Sequence, residues 1–136
     1  MSEAPGSGPT RPGRRGTMAL RTLAMPADTN PSGDIFGGWI MSHMDLAAGL
    51  SATEIARGRV VTAAVSHIQF LLPVHMGDAV SIYTDVVKIG RSSITLAVEV
   101  WVMRHRVGDH LKVTEAEFVL VAVDDAGKPR AMTLEA

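Results

Sequence analysis

The sequence predicts an α+β fold in which a curved antiparallel sheet wraps around one long central helix. Three observations predict it. Residues 39–56 form a mostly apolar stretch with no proline and one glycine, a composition that favours helix. Four later stretches carry apolar residues at every second position, the period of a strand. The order is one short strand, one long helix and then about four long strands, and a sheet curved around the helix is the economical way to bury both.

Each element follows from local chemistry. Residues 1–17 are rich in Gly, Pro, Ser and Arg, with Met1 and Ala4 as the only apolar side chains. Such a segment has too little to bury to offset its ordering entropy, so it reads as a disordered arm, and residues 18–136 read as one domain. Met18–Ala24 reads as an opening strand. The turn formers of Met25–Gly33 make a loop. The helix runs from about Trp39 to Ala56, with Gly37 and Gly38 at its start. Its apolar residues, among them Trp39, Ile40, Met41, Met44, Leu46 and Leu50, lie nearly all round, which predicts burial on all sides. Gly58 is the natural C-terminal cap, flanked by Arg57 and Arg59 at the negative end of the helix. Four strands follow at 60–72, 78–89, 92–105 and 110–124, separated by Gly-containing turns. Ile94, Leu96, Val98, Val100 and Val102 share one face, as do Ala116, Phe118, Leu120 and Ala122. A strand as apolar as Val98–Val102 is a hazard at a free edge, which argues for an oligomer.

Composition narrows the function. The 136 residues fit one domain, 46% of them are hydrophobic, and the net charge of −1 favours neither a nucleic-acid nor an anionic-membrane surface. With no cysteine, disulfides, thiolate metal sites and thiol nucleophiles are all excluded. No apolar run approaches the roughly 18 residues of a membrane span. Arg14-Arg15 is not followed by the apolar segment an export signal needs, so the expected compartment is the cytoplasm.

One carboxylate stands inside the helix. Asp45 has Met41, Ser42, Ala48 and Gly49 one turn away, so no cation pairs with it along the helix. A buried, unpaired carboxylate tends to a raised pKa and is a candidate general base or nucleophile. On periodicity alone, a structural partner from another strand or chain slightly outweighs that role. The glycines shift the balance. Unpaired amides at a helix start bind negative charge, and glycine lets a ligand come close. Gly37 and Gly38 precede Asp45 by two turns, on roughly the same side of the helix. An oxyanion site beside a base is what acyl transfer to water requires.

The stretch from Arg21 to Asp45, with Asn30-Pro31-Ser32-Gly33-Asp34-Ile35-Phe36-Gly37-Gly38 at its centre, resembles the signature of hotdog-fold acyl-CoA thioesterases of the YciA and cytosolic acyl-CoA hydrolase type. The resemblance continues through Gly58–Thr62, Phe70–Val74, Gly77-Asp78, Lys88–Ser93, Val98–Val102 and Phe118–Asp124, and so covers the chain after the arm. It implies a hotdog domain that hydrolyses acyl-CoA to a free acid and coenzyme A. By the same resemblance Asp45 is the catalytic carboxylate. The amides of Gly37 and Gly38 polarise the thioester carbonyl. Asn30 assists at a site often formed between two hotdog units. The turn Gly90, Arg91, Ser92 and Ser93 contacts the nucleotide end of coenzyme A, with Arg57 and Arg59 as weaker candidates. The resemblance further implies dimers assembled into hexamers as trimers of dimers. It implies no metal, and no cofactor beyond the coenzyme A of substrate and product.

Other polar residues have plainer roles. Asp28 and Asp34 suit turns and caps. His43 lies about 200° round the helix from Asp45 at 100° per residue, so the two share no face. His67 and Gln69 read as a satisfied polar pair on one strand face, and His105, Asp109 and His110 as a charged turn rather than a metal site. The eight methionines suit the core and an acyl channel. Two other functions use the same pocket: a non-catalytic acyl-CoA binding or sensing module, which has no need of Asp45, and a hotdog hydratase or dehydratase, which needs a histidine working with an acid.

Overall fold

The computed structural model describes residues 15–104 and 108–133. Strand β1 (Thr17–Leu23) leads through a loop with a short 3-10 turn (Pro26–Asp28) to helix α1 (Gly37–Ala56). Strands β2 (Val60–Phe70), β3 (Ala79–Ile89), β4 (Ser93–Arg104) and β5 (Asp109–Ala122) follow. The five strands form one antiparallel sheet in the order β1-β3-β4-β5-β2. The expected architecture is present, with element ends within two residues of those read from the sequence. No helix among the described residues is long and apolar enough to cross a membrane.

Alternation builds the core. Ile94, Leu96, Val98, Val100 and Val102 point to the helix side of β4 and are buried, as are Ala116, Phe118, Leu120 and Ala122 of β5. They meet one stripe of α1: Ile40, Met44, Ala47, Ala48, Ala52 and Ala56. Four alanines in that stripe let the helix lie close to the sheet.

Three expectations change. First, α1 is not buried on all sides within the chain: Met41, Leu46 and Leu50 are exposed. One sheet curves over one face of a helix, and the opposite face needs another surface. Second, the most apolar strand is not an edge. β4 is central, while β1 and β2 are the edges, because β2 crosses over to pair with β5. Third, the arm is shorter than 1–17. Thr17 opens β1 opposite Thr84, and Arg15 pairs with Asp85 at 3.0 Å. Gly16 lies between them with φ +79, where a Cβ would overlap the Thr84 carbonyl, so the chain enters the sheet at a position only glycine fits. The rest of the predicted arm, 1–14, lies outside the described residues, as does His105.

The helix end also differs from expectation. Arg57, not Gly58, takes the left-handed cap conformation (φ 54, ψ 45), and its amide donates to Thr53 O. Gly58 instead leaves room for Arg130: a Cβ there would come within 2.7 Å of the guanidinium, which would have to shift. That guanidinium donates to the Ala56 carbonyl at 2.8 Å, satisfying one of the open carbonyls of the last turn.

Candidate active site

Asp45 projects from the middle of α1 on the flank that faces edge strand β2 and is exposed in the chain. The expectation of a buried, unpartnered carboxylate is therefore corrected. It sits at the margin of the sheet, and it has a partner there: the Thr62 hydroxyl donates to Asp45 Oδ1 at 2.5 Å. Thr62 lies near the start of edge strand β2, beside a register shift between Thr62 and Ala64. Asp45, Gly49, Thr53, Val60, Thr62 and Leu120 line a cavity of about 600 Å³. No role for Thr62 is legible in the sequence. Its signal is modest, a lone hydroxyl in Val60-Val61-Thr62-Ala63-Ala64-Val65, and only strand pairing shows that it faces the helix.

Asn30 organises the loop before α1. Its Oδ1 accepts from the amides of Ser32 (2.9 Å) and Asp34 (3.0 Å), and its own amide donates to the Asp34 carbonyl at 2.6 Å. The side-chain NH2 retains two donors for another partner. Asn30 and Gly37 line a second cavity of about 340 Å³, together with Asp34, Ile40, Phe70 and Pro73. The far wall is held by a buried ion pair. Arg104 donates to Asp78 Oδ2 at 2.9 Å and to the Pro73 carbonyl at 2.9 Å, and the same Asp78 oxygen accepts the His75 amide at 2.8 Å. His75 Nε2 in turn lies 3.8 Å from Asp34.

The first turn of α1 is open. N-cap Phe36 makes no side-chain cap, and its carbonyl accepts the amides of Trp39 and Ile40. The Gly37 and Gly38 amides come before these and have no intrahelical acceptor. Close packing does not explain the glycines. A Cβ on Gly38 would meet nothing within 4 Å, and one on Gly37 would make only ordinary contact, 3.5 Å, with the Phe70 ring. The space suits a ligand oxygen.

Helix geometry sets a limit on these parts. Gly38 and Asp45 are seven residues apart, about 10 Å along the axis. A thioester carbonyl held on the Gly38 amide is out of reach of Asp45 in the same helix. The sequence-based picture of both groups meeting on one carbonyl within one chain is corrected accordingly. The two cavities share no lining residue. Each chain thus presents two separate candidate groups, Asp45 with Thr62 and Gly37 with Asn30.

The remaining predicted residues gather elsewhere. The turn Gly90–Ser93 is closed by Gly90 N donating to Ser93 O at 2.8 Å, and Arg91 O receives the Met132 amide. Arg59 O accepts Val123 N, and Arg57 caps the helix. These residues and Arg130 mark the C-terminal end of α1, about 18 Å along the axis from Asp45, and none lines the Asp45 cavity. His43 donates from Nδ1 to Trp39 O at 2.9 Å and lies against the Trp39 ring at 4.1 Å between centroids. His67 sits in a β2 irregularity with φ 56 and meets Ser66 Oγ at 3.0 Å. Its partner is therefore Ser66 rather than Gln69, because the irregularity breaks the alternation between 67 and 69. Asp28 accepts the Met25 amide at 3.4 Å, the expected cap role. Among the described residues no group of three or more His, Asp or Glu is placed to hold a metal ion.

The thioesterase superfamily pattern matches residues 32–108, which include α1, β2, β3 and β4. The chain belongs to the thioesterase superfamily. It is 52% identical to the Escherichia coli K12 acyl-CoA thioester hydrolase YciA over 124 residues, 89% of this chain and 94% of that one. The fold of this thioesterase-family chain is likewise matched by solved structures. The hexameric thioesterase y2039 of Yersinia pestis superposes with a TM-score of 0.86 at 54% identity, covering 90% of this chain and 99% of that one. HI0827, a hexameric broad-specificity acyl-coenzyme A thioesterase crystallised as an aspartate-to-alanine mutant, superposes with a TM-score of 0.86 at 50% identity, covering 88% of each. The hotdog fold is thus the fold of this thioesterase.

Proposed function

We infer that this protein is a YciA-type acyl-CoA thioester hydrolase, converting acyl-CoA and water to a carboxylic acid and coenzyme A. The observation that carries the assignment of residues is Asp45: a carboxylate opening on a cavity, held at one oxygen by Thr62. With Oδ1 fixed by the hydroxyl, Oδ2 is free to act. It takes a proton from water as the water oxygen attacks the thioester carbon. The carbonyl electron pair moves onto oxygen, where the Gly37 and Gly38 amides of a second copy receive it. Collapse expels the coenzyme A thiolate, which takes the proton from Asp45. In the alternative course, Oδ2 attacks the carbon itself and water cleaves the resulting anhydride. Single turnover in ¹⁸O water distinguishes the two: label in the Asp45 carboxylate identifies the anhydride.

The second copy is part of the reading. The roughly 10 Å between Gly38 and Asp45 calls for a site in which Asp45 and Thr62 of one chain face Gly38 and Asn30 of another. Edge strand β2 supplies a suitable surface: its Val61, Val65 and Phe70 are exposed, and such an edge invites pairing. We assign a dimer built on this edge, assembled as a trimer of dimers like the hexameric relatives. The arginines at the C-terminal end of α1 and the Gly90–Ser93 turn are assigned to the coenzyme A phosphates, reached from a neighbouring subunit. No metal or further cofactor takes part in this scheme, and neither nucleic acid nor membrane is a partner. The cytoplasm is the assigned compartment.

Two other functions compete less well. A hydratase needs a histidine beside its acid, and His43 is occupied with Trp39. A binding module has no use for the Thr62–Asp45 bond. The test is free-thiol release from acyl-CoAs by wild type and Asp45→Asn. Release that disappears in the variant is expected. Coenzyme A binding without release on any chain length would make the protein a binding module, and undiminished release by Asp45→Asn would remove the role given to Asp45.

A further inference from the structure

The Asp45 cavity continues beyond the reacting group. Positions 45, 49 and 53 recur at four-residue spacing and so share one side of α1. Gly49 and Thr53 line the cavity after Asp45, with Leu46 and Leu50 beside them and Val60 and Leu120 beneath. The result is an apolar lane between α1 and β2 that runs from Asp45 towards the C-terminal end of the helix.

Two residues in this lane are unexplained by the fold. Gly49 is in mid-helix, where only proline is a poorer choice. A Cβ there would meet nothing within 4 Å, so packing within the chain does not demand glycine. Glu54 lines the same cavity at its far end, about half a turn round the helix from Asp45. Its carboxylate is exposed, and no hydrogen bond or ion pair to it occurs among the described residues. With Leu50 it also borders a third cavity, of about 600 Å³, lined by Met18, Ser51, Thr84 and Leu96 among others. Leu50 and Glu54 therefore stand as a partition between two spaces, one side chain apolar and the other charged.

We propose that the acyl chain lies in the lane between α1 and β2, and that Gly49 and Glu54 decide which acyl chains this enzyme accepts. The proposal rests on Asp45 as the reacting group. Gly49 leaves the width for a hydrocarbon chain to pass the helix. Glu54 ends the lane, because hydrocarbon moving past it must strip water from a carboxylate, and a chain ending in its own carboxylate meets like charge. Nine residues from Asp45 to Glu54 span about 13.5 Å along the axis. An extended chain advances about 1.2 Å per bond, so the lane holds an acyl chain of about ten carbons.

The test compares kcat/KM for butyryl-, octanoyl-, tetradecanoyl- and adipoyl-CoA by thiol release from the assembled full-length enzyme, for wild type, Gly49→Leu, Gly49→Ala, Glu54→Ala and Glu54→Gln. Gly49→Leu narrows the lane and lowers the octanoyl-to-butyryl ratio by about tenfold, with Gly49→Ala shifting the same ratio less. Glu54→Ala opens the partition and raises the tetradecanoyl-to-octanoyl ratio, by about fourfold for each further methylene that gains cover. Both Glu54 variants raise the adipoyl-to-butyryl ratio. Ratios equal to those of wild type in the Gly49 and Glu54 variants would overturn the proposal. So would a change in oligomer size in both Gly49 variants with unchanged ratios, which would make Gly49 a contact between copies. A failure of the parent reading looks different: thiol release that survives Asp45→Asn. A dead Asp45→Asn enzyme beside unmoved ratios sinks only the lane.

Discussion

The Thr62 hydroxyl gives Asp45 its orientation. A hydrogen bond to a charged group contributes about 1.5–3 kcal/mol, so Thr62→Ala is expected to lower kcat by about tenfold or more, while Thr62→Ser keeps most of the rate. A steady-state comparison of the two variants checks this, and equal losses would mean that the methyl group matters rather than the hydroxyl. Arg104 is a second residue on which much depends. Its guanidinium neutralises Asp78, which is 3% exposed, and pins the Pro73 carbonyl. Arg104→Ala leaves a buried charge alone, a loss of about 3–5 kcal/mol, seen as a lower denaturant midpoint. Asp45 itself shows where sequence reading stops at this scale. Its lack of a helical cation was legible from neighbours three and four positions away. Its Thr62 partner was not, because strand pairing and a register shift, neither written in the local pattern, bring β2 to it.

At the scale of elements, periodicity carried nearly everything. β4 and β5 were legible because two-residue alternation has one solution when one face is buried. The α1 cap was misassigned to Gly58 because glycine is the usual left-handed residue, while here Arg130 needs the space over Gly58 and Arg57 accepts the strained conformation. The helix also carries a testable excess of flexibility. Gly49→Ala fits without a clash and is expected to stabilise the fold by about 0.5–1 kcal/mol, measured by thermal unfolding. On the sheet, Glu99 and Glu115 face each other across β4 and β5, and Lys112 bridges them, at 3.2 Å from Glu99 and in direct contact with Glu115. Burial pulls the Lys112 ammonium down, but the two carboxylates outweigh it and hold its pKa above the ordinary 10.5. A raised folded-state pKa means a stabilising contribution that is complete below about 10.5 and is lost as pH rises through the folded value. Lys112→Met is therefore expected to melt earlier than wild type at pH 7 to 9, with the gap closing as the pH rises through the raised folded-state pKa.

For the molecule as a whole, one chain is an unfinished structure. The side of α1 away from the sheet and the edge strand β2 both leave apolar side chains in water, Leu46 at 55% and Leu50 at 52% exposure among them. The sequence signalled this surplus as a helix apolar all round, but a single chain orders only one covering sheet, so which face stays open was not legible. A charge on the edge discourages pairing. Val65→Lys is expected to shift the protein to smaller species in light scattering and to lose thiol release with them.

The distance along α1 between Gly38 and Asp45 has a genetic consequence. If each competent centre draws its base from one chain and its amides from another, two defective alleles can repair each other. Chains carrying Asp45→Asn and chains carrying Asn30→Ala are each impaired in their own assemblies. Unfolded together and refolded, they form mixed pairs in which one centre inherits both sound halves. Activity returning on mixing, from two preparations that have little separately, is the expected complementation. Strictly additive behaviour would place the whole reaction within a single chain.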